Sequence, residues 1–245
     1  MNIKESLNKF LIKLSFINII SANVYAKLIK LKFLKPILSR LILYKFTNDM
    51  QSYNAEGNQH KSKKIDATGH SYWLSKKSLL WQLWNKEYLT VEKTKILDRI
   101  KDILHHFPEN LNYFEMGCGY PLYLHSNQLK DKLKNYYGYD PNEHLAKFFS
   151  LKGVFSTLPT KEKAEVIFIL GGVIKYLYEE EIEKFKEVIT KLESKIILVS
   201  HPLDIKILSE RINIDQINLD LINTKKIEEI LKGNKTYLIN FNQII

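Results

Sequence analysis

A chain of 245 residues that is 45% hydrophobic and 26% charged has the composition of a globular protein with enough apolar material for a sizeable core. Its formal charge of +10 is unevenly placed: residues 1–46 hold nine Lys/Arg and one acid, which leaves 28 bases against 26 acids over residues 47–245. That division speaks against a nucleic-acid footprint covering the whole molecule, and any partner drawn by charge should meet the N-terminal segment. The single cysteine, Cys118, excludes an intramolecular disulfide and a zinc framework and suits a reducing, cytoplasmic compartment.

Residues 1–46 alternate Leu, Ile and Phe with lysines about a turn apart, and Leu7, Phe10, Leu11, Leu14 and Ile17 share one helical face. The longest uncharged stretch, Leu14 to Ala26, falls short of the roughly 20 apolar residues of a spanning helix. A secretory signal ending at "NVYA" fits poorly, because a lysine interrupts its apolar region and a second lysine-rich stretch follows. Two readings stay open: a basic amphipathic anchor in the plane of an anionic bilayer, peripheral on the inner face of the cell membrane, or a helical cap with solvated lysines.

Residues 47–109 are expected to form a linker and then a helical lid or cap. The polar run 47–64 reads as loop, and the helical spacing of Trp73, Leu80, Trp84 and of Leu74, Trp81, Tyr88 predicts aromatic core packing. His70 and Tyr72, just ahead of that helix, could instead sit over a ligand. A helix from about Val91 to His106 should follow, capped by Thr90 or Thr94 and stopped before Pro108. Adjacent His105 and His106 point to different faces, which argues against a shared metal site.

From residue 110 to 245 short apolar strands alternate with helices. "LNYFEM", "YYGYD", "AEVIFILGG" and "KIILVSH" read as strands of a mainly parallel, Rossmann-like sheet covered by helices on both faces, with a ligand expected beyond the carboxyl ends of its strands. Gly117 and Gly119 let the chain turn sharply after the first strand and approach a ligand without a Cβ. Pro121 suits the start of the next helix. Asp140 ends the second strand twenty-one residues after Gly119, a spacing at which a carboxylate can take ribose hydroxyls. A dinucleotide fingerprint would need glycine where Leu122 stands, and a phosphate would be repelled by Glu115, whereas a ligand bearing an ammonium would not.

With these features "FEMGCG", "YYGYDPN" and "AEVIFILGGVIKYLYEEE" resemble the class I S-adenosylmethionine-dependent methyltransferases over about residues 110–205. The resemblance implies S-adenosylmethionine as cofactor, with Glu115, Gly117 and Gly119 holding its methionine part and Asp140 its ribose. Thr157 and Leu158 would flank the adenine, and Gly171, Gly172 and Tyr176 would line the cavity near the transferred methyl. Pro121 departs from the family's third glycine, no acid or amide marks the adenine position near Ser156, and the direction of the last strand, antiparallel in that family, is left open.

Methyl transfer from a sulfonium is an in-line displacement needing no metal, in which alignment contributes most. An oxygen acceptor would also want a general base, for which His201, Tyr176, His70 and Tyr72 are the candidates. The acceptor expected is a small molecule or glycan, lipid-linked if the basic segment docks at a membrane. RNA is the less favoured acceptor, and a non-catalytic nucleoside- or partner-binding module is the alternative from another class. Cys118, with no base identifiable beside it, reads as a small residue tolerated in a tight loop.

Overall fold

The computed structural model describes residues 27–28, 31, 70–87, 91–158, 163–212 and 214–240. The expectations for the remainder of residues 1–46, for the linker at 47–64, for Tyr88, for a cap at Thr90 and for the side chains of His70, Leu80 and Trp84 lie outside the described residues. Contacts divide the chain into two compact units, Met1–Lys61 with Ala67–Leu89, and Ser62–Asp66 with Thr90–Ile245.

In the first unit, α1 (His70–Leu74) and α2 (Lys76–Glu87) are separated at Ser75. The Ser75 hydroxyl donates to the Tyr72 carbonyl at 2.7 Å and the Ser78 hydroxyl to that of Trp73 at 2.9 Å, taking carbonyls left over where the helix breaks. The break shifts the helical phase and corrects the predicted stripe. Tyr72, Leu79 and Leu83 are buried, whereas Trp73 and Trp81 are half-buried and Leu74 is exposed.

The second unit begins with α3 (Val91–His106), which packs on the sheet through Leu97, Ile100, Ile103 and Leu104. A helix that starts at Val91 excludes Thr94, in its first turn and exposed, as its cap. The sheet that follows holds β1 (Asn112–Met116), β2 (Asn135–Tyr139), β3 (Val154–Phe155), β4 (Val166–Ile169), β5 (Ile196–Val199), β6 (Asp215–Ile217) and β7 (Tyr237–Asn240), in the order β3-β2-β1-β4-β5-β7-β6. Every pairing is parallel. The helices between them are α4 (Asn127–Lys132), α5 (Glu143–Phe149), α6 (Glu179–Lys191), α7 (Pro202–Ile212) and α8 (Thr224–Lys232). An α/β Rossmann-like arrangement is thus the architecture of this unit.

The continuous apolar runs of β4 and β5 are explained by burial on both faces. Val166, Phe168, Ile196 and Leu198 face α3 and α8, while Ile167, Ile169, Ile197 and Val199 face α6 and α7. At about 25 cal/mol per Å² of apolar area removed from water, two such layers are the main stabilising term. The edge strands have two and three residues, short enough to offer little to a foreign strand. β7 lies between β5 and β6 and runs parallel to both. This departs from the antiparallel last strand of the family that the sequence resembles. The cause is α8, capped by the Asn223 side chain on the Lys226 N–H, which returns the chain to the starting edge before β7 begins.

Among the described residues no helix is long and apolar enough to cross a membrane.

Candidate functional site

Strand order reverses between β1 and β4: from β1 the chain winds outward through β2 and β3, then crosses back to β4 and β5. The loops leaving the carboxyl ends of β1, β2, β4 and β5 therefore meet around the switch point, where ligands of open parallel sheets bind. Of the site residues read from the sequence, Glu115, Gly117, Gly119, Asp140, Gly171, Gly172, Tyr176 and His201 fall in or beside these loops. His70 belongs to the first unit, and Thr157 and Leu158 lie beyond β3, where Thr157 is exposed and Leu158 is half-buried against the layer that includes α6.

The β1 loop is a left-handed turn. Gly117 and Gly119 have φ of +61° and +52°, a region that costs a side-chain-bearing residue about 1–2 kcal/mol. A Cβ at Gly117 would also lie 2.6 Å from Val173 Cγ1, so the loop after β4 packs directly on the bare backbone. Beyond the turn Pro121 precedes a 3-10 turn, Leu122–Leu124, as its fixed φ allows.

Two carboxylates hold this loop from below. Glu115, 4% exposed, accepts the Leu122 N–H at 2.8 Å and the Tyr136 hydroxyl. Asp140, 9% exposed, accepts the Gly119 N–H at 3.0 Å through one oxygen and the Asn142 N–H at 2.9 Å through the other. Asn142 is fully buried and caps α5 by accepting the His144 and Leu145 N–H groups. Burial raises Asp140 to about 6, while the N–H bonds from Asn142 and Gly119 act in the opposite direction.

Both carboxylates flank the buried Cys118 thiol, which burial and then Asp140 and Glu115 hold well above its ordinary value. Burial in this setting favours the protonated thiol, which makes Cys118 a poor nucleophile. The Cys118 sulfur and the Tyr136 hydroxyl crowd the bare face of Gly138, each 2.9 Å from where a Cβ there would lie. The Tyr136 hydroxyl is likewise held protonated by burial and by Glu115.

The second half of the site comes from β4 and β5. Gly171 and Gly172 have φ of +78° and +82°. The Gly171 N–H donates to Ser200 Oγ at 2.9 Å, tying the β4 loop to the end of β5. Asp204, in the first turn of α7 and fully buried, accepts the Val173 N–H at 2.6 Å and the Lys175 N–H at 3.0 Å. One buried acid thus fixes the stretch that carries Lys175 and Tyr176. The Lys175 ammonium lies 4.8 Å from the Tyr176 ring centroid and 3.3 Å from His201 Nε2. His201 Nδ1 accepts the Leu203 N–H at 3.2 Å, so the neutral ring carries its proton on Nε2, the atom that faces Lys175. Partial burial and then the Lys175 charge lower the His201 pKa, against a smaller opposing pull from Asp204.

Tyr136, Asn142, Lys175 and Asp204 shape the site and were not singled out by the sequence. Asn142 had a readable signal, an Asn after Pro141 at the start of a helix-spaced run. Asp204 had a weaker one, an acid just inside a helix opened by Pro202. Tyr136 and Lys175 had none, because their partners are set by strand register and by the packing of two loops. Comparison of the chain with protein-family models, with characterised proteins and with solved structures finds no match.

Proposed function

We propose that residues 90–245 bind S-adenosylmethionine and transfer its methyl group to a small-molecule or glycan acceptor, with the basic N-terminal segment docking the enzyme at the inner face of the cytoplasmic membrane. One observation carries this reading: the left-handed glycine turn at the tip of β1 is bonded through Gly119 to the carboxylate at the tip of β2. A bare backbone and an acid are thereby placed side by side at the switch point, the arrangement an adenosyl ligand needs.

The residues fit such a ligand at its ribose end. Each Asp140 oxygen accepts one backbone N–H, and a carboxylate oxygen has a second acceptor site for a ribose hydroxyl. Glu115 supports the glycine turn from beneath through Leu122 and Tyr136, and adds negative potential under the place where a cationic ligand would lie. S-adenosylmethionine supplies the methyl group on a sulfonium, displaced in line by the acceptor. Gly171, Gly172 and Tyr176 line the acceptor side. His201, with its proton on Nε2, is arranged as a donor rather than as a base toward Lys175, so an acceptor that is already nucleophilic suits the site better than an alcohol needing deprotonation.

A second reading, a methyltransferase-like module that binds a nucleoside without catalysis, is favoured by the contact of Val173 with Gly117 and by the parallel β7. Calorimetry of the full chain with S-adenosylmethionine and with adenosine separates the two. The enzymatic reading expects saturable binding of S-adenosylmethionine, tighter than adenosine, weakened about 10- to 100-fold in Asp140→Ala by loss of charge-assisted hydrogen bonds. Equal affinity for the two ligands would favour the module. No heat with either would sink both.

A further inference from the structure

Lys175 and His201 bring two donor nitrogens together, and among the described residues no side chain is bonded to both as an acceptor. The 3.3 Å separation of Lys175 Nζ and His201 Nε2 would make a hydrogen bond only if one nitrogen offered a lone pair, yet the Leu203 N–H on Nδ1 leaves Nε2 of the neutral ring protonated. Once the ring is protonated, two positive charges stand at the same distance.

Asp204, the carboxylate whose charge reaches the His201 ring, makes its hydrogen bonds to backbone rather than to this pair. Asp204 uses one oxygen on the Val173 N–H and the other on the Lys175 N–H. Among the described residues Lys175 has no ion pair closer than 4.0 Å. The pair is nonetheless built in place. A Cβ on Gly172 would lie 2.9 Å from Lys175 Cε and 3.0 Å from His201 Cδ2, so both side chains lie over that glycine. The Tyr176 ring supports the ammonium from one side. Beside them Gly171 is exposed, and among the described residues no atom lies within 4 Å of where its Cβ would be. The backbone next to the pair is therefore uncovered by those residues.

We propose that Lys175 Nζ and His201 Nε2–H form an oxyanion-binding site at the carboxyl ends of β4 and β5, which takes a carboxylate or a phosphate monoester. An oxygen about 2.8 Å from both nitrogens accepts from each and removes their mutual conflict. The site itself stands on this geometry alone. Its assignment to the acceptor, as an anionic acid or phosphorylated substrate that docks beside the methyl-transfer position, rests on the reading given under Proposed function.

The test uses the full chain titrated with sodium phosphate and, separately, sodium acetate at constant ionic strength. His201 ring resonances, identified by their loss in His201→Gln, are followed by NMR from pH 5 to 8. Lys175 and Asp204 are the charged groups acting on this ring. Saturable displacement of the His201 resonances is expected, with its titration midpoint raised as a bound anion favours the imidazolium. Lys175→Met should weaken anion affinity about tenfold or more, and Lys225→Met, on exposed α8 surface, should leave it unchanged. A response to acetate alone assigns a carboxylate, and a response to phosphate alone assigns a phosphate monoester. Absence of saturation with both anions, or equal affinity in wild type and Lys175→Met, overturns the site. Anion binding without S-adenosylmethionine binding would leave this site standing and remove the methyltransferase reading, and the reverse result would do the opposite.

Discussion

At the scale of single residues, the β1 loop depends on what is missing at Gly117. Alanine there meets the left-handed backbone cost of about 1–2 kcal/mol and, from the 2.6 Å approach to Val173, overpacking of about 1–3 kcal/mol more. Urea unfolding of Gly117→Ala should show the sum, and the double variant with Val173→Ala should recover only the packing part. Full recovery would mean that backbone conformation costs nothing there. Asp140 gives a pH signature. Its folded value near 6 lies above the ordinary 3.8, so protonation favours the fold: this contribution is whole below about pH 4 and is lost as pH rises through 6. About two units correspond to at most ~3 kcal/mol. Wild type should lose more stability between pH 4 and pH 7 than Asp140→Asn does, and parallel pH curves would contradict the raised value. If Asp140 holds a ribose as proposed, the hydroxyls bind its ionised form, so adenosyl affinity should fall up to about tenfold per pH unit below 6. Spacing alone identified the positions of Gly117, Gly119 and Asp140. It did not reveal that Asp140 bonds Gly119 itself, since that contact depends on the register Met116 to Tyr139.

At the scale of elements, α7 is more than a cover for the sheet. Its first turn presents Asp204 to the β4 loop, where this buried carboxylate accepts the Val173 and Lys175 N–H groups. Asp204→Ala leaves those donors without their acceptor, for about 1–3 kcal/mol each where water cannot replace it. Denaturant unfolding should register a loss in that range, and amide exchange should quicken at Val173 and Lys175 before it does in β4. Unchanged exchange at both would show that the loop is held by other contacts. The strands β4 and β5 were legible because four consecutive apolar residues buried on both faces leave no alternation to misread. The helices after His70 were legible as helix but not in their buried face, because one serine bonding back to Tyr72 resets the phase that the tryptophan spacing assumed. The direction of β7 was equally hidden, since a parallel and an antiparallel strand of four residues have the same composition.

At the scale of the whole molecule, charge is segregated along the chain, with +8 in residues 1–46 and +2 in the rest. A nearly neutral α/β unit gives a nucleic acid little to hold, while a lysine-rich amphipathic stretch is attracted to anionic lipid by about 1 kcal/mol per basic side chain near the surface. The full chain should therefore sediment with phosphatidylserine vesicles at low salt and release as salt rises, and a chain lacking residues 1–46 should stay in the supernatant. Salt-dependent retardation of RNA with no vesicle binding would reverse that assignment. The sequence by itself determined the alternation of strands and helices, the glycine turns and the uneven charge, because periodicity, φ preference and charge are properties of neighbouring residues. Only the tertiary structure decided that Val173 lies on Gly117, that the charges of two carboxylates act on Cys118, and that Lys175 and His201 meet over Gly172. Each of those meetings joins residues from different loops, and their approach is fixed by strand order and register rather than by anything local to either residue.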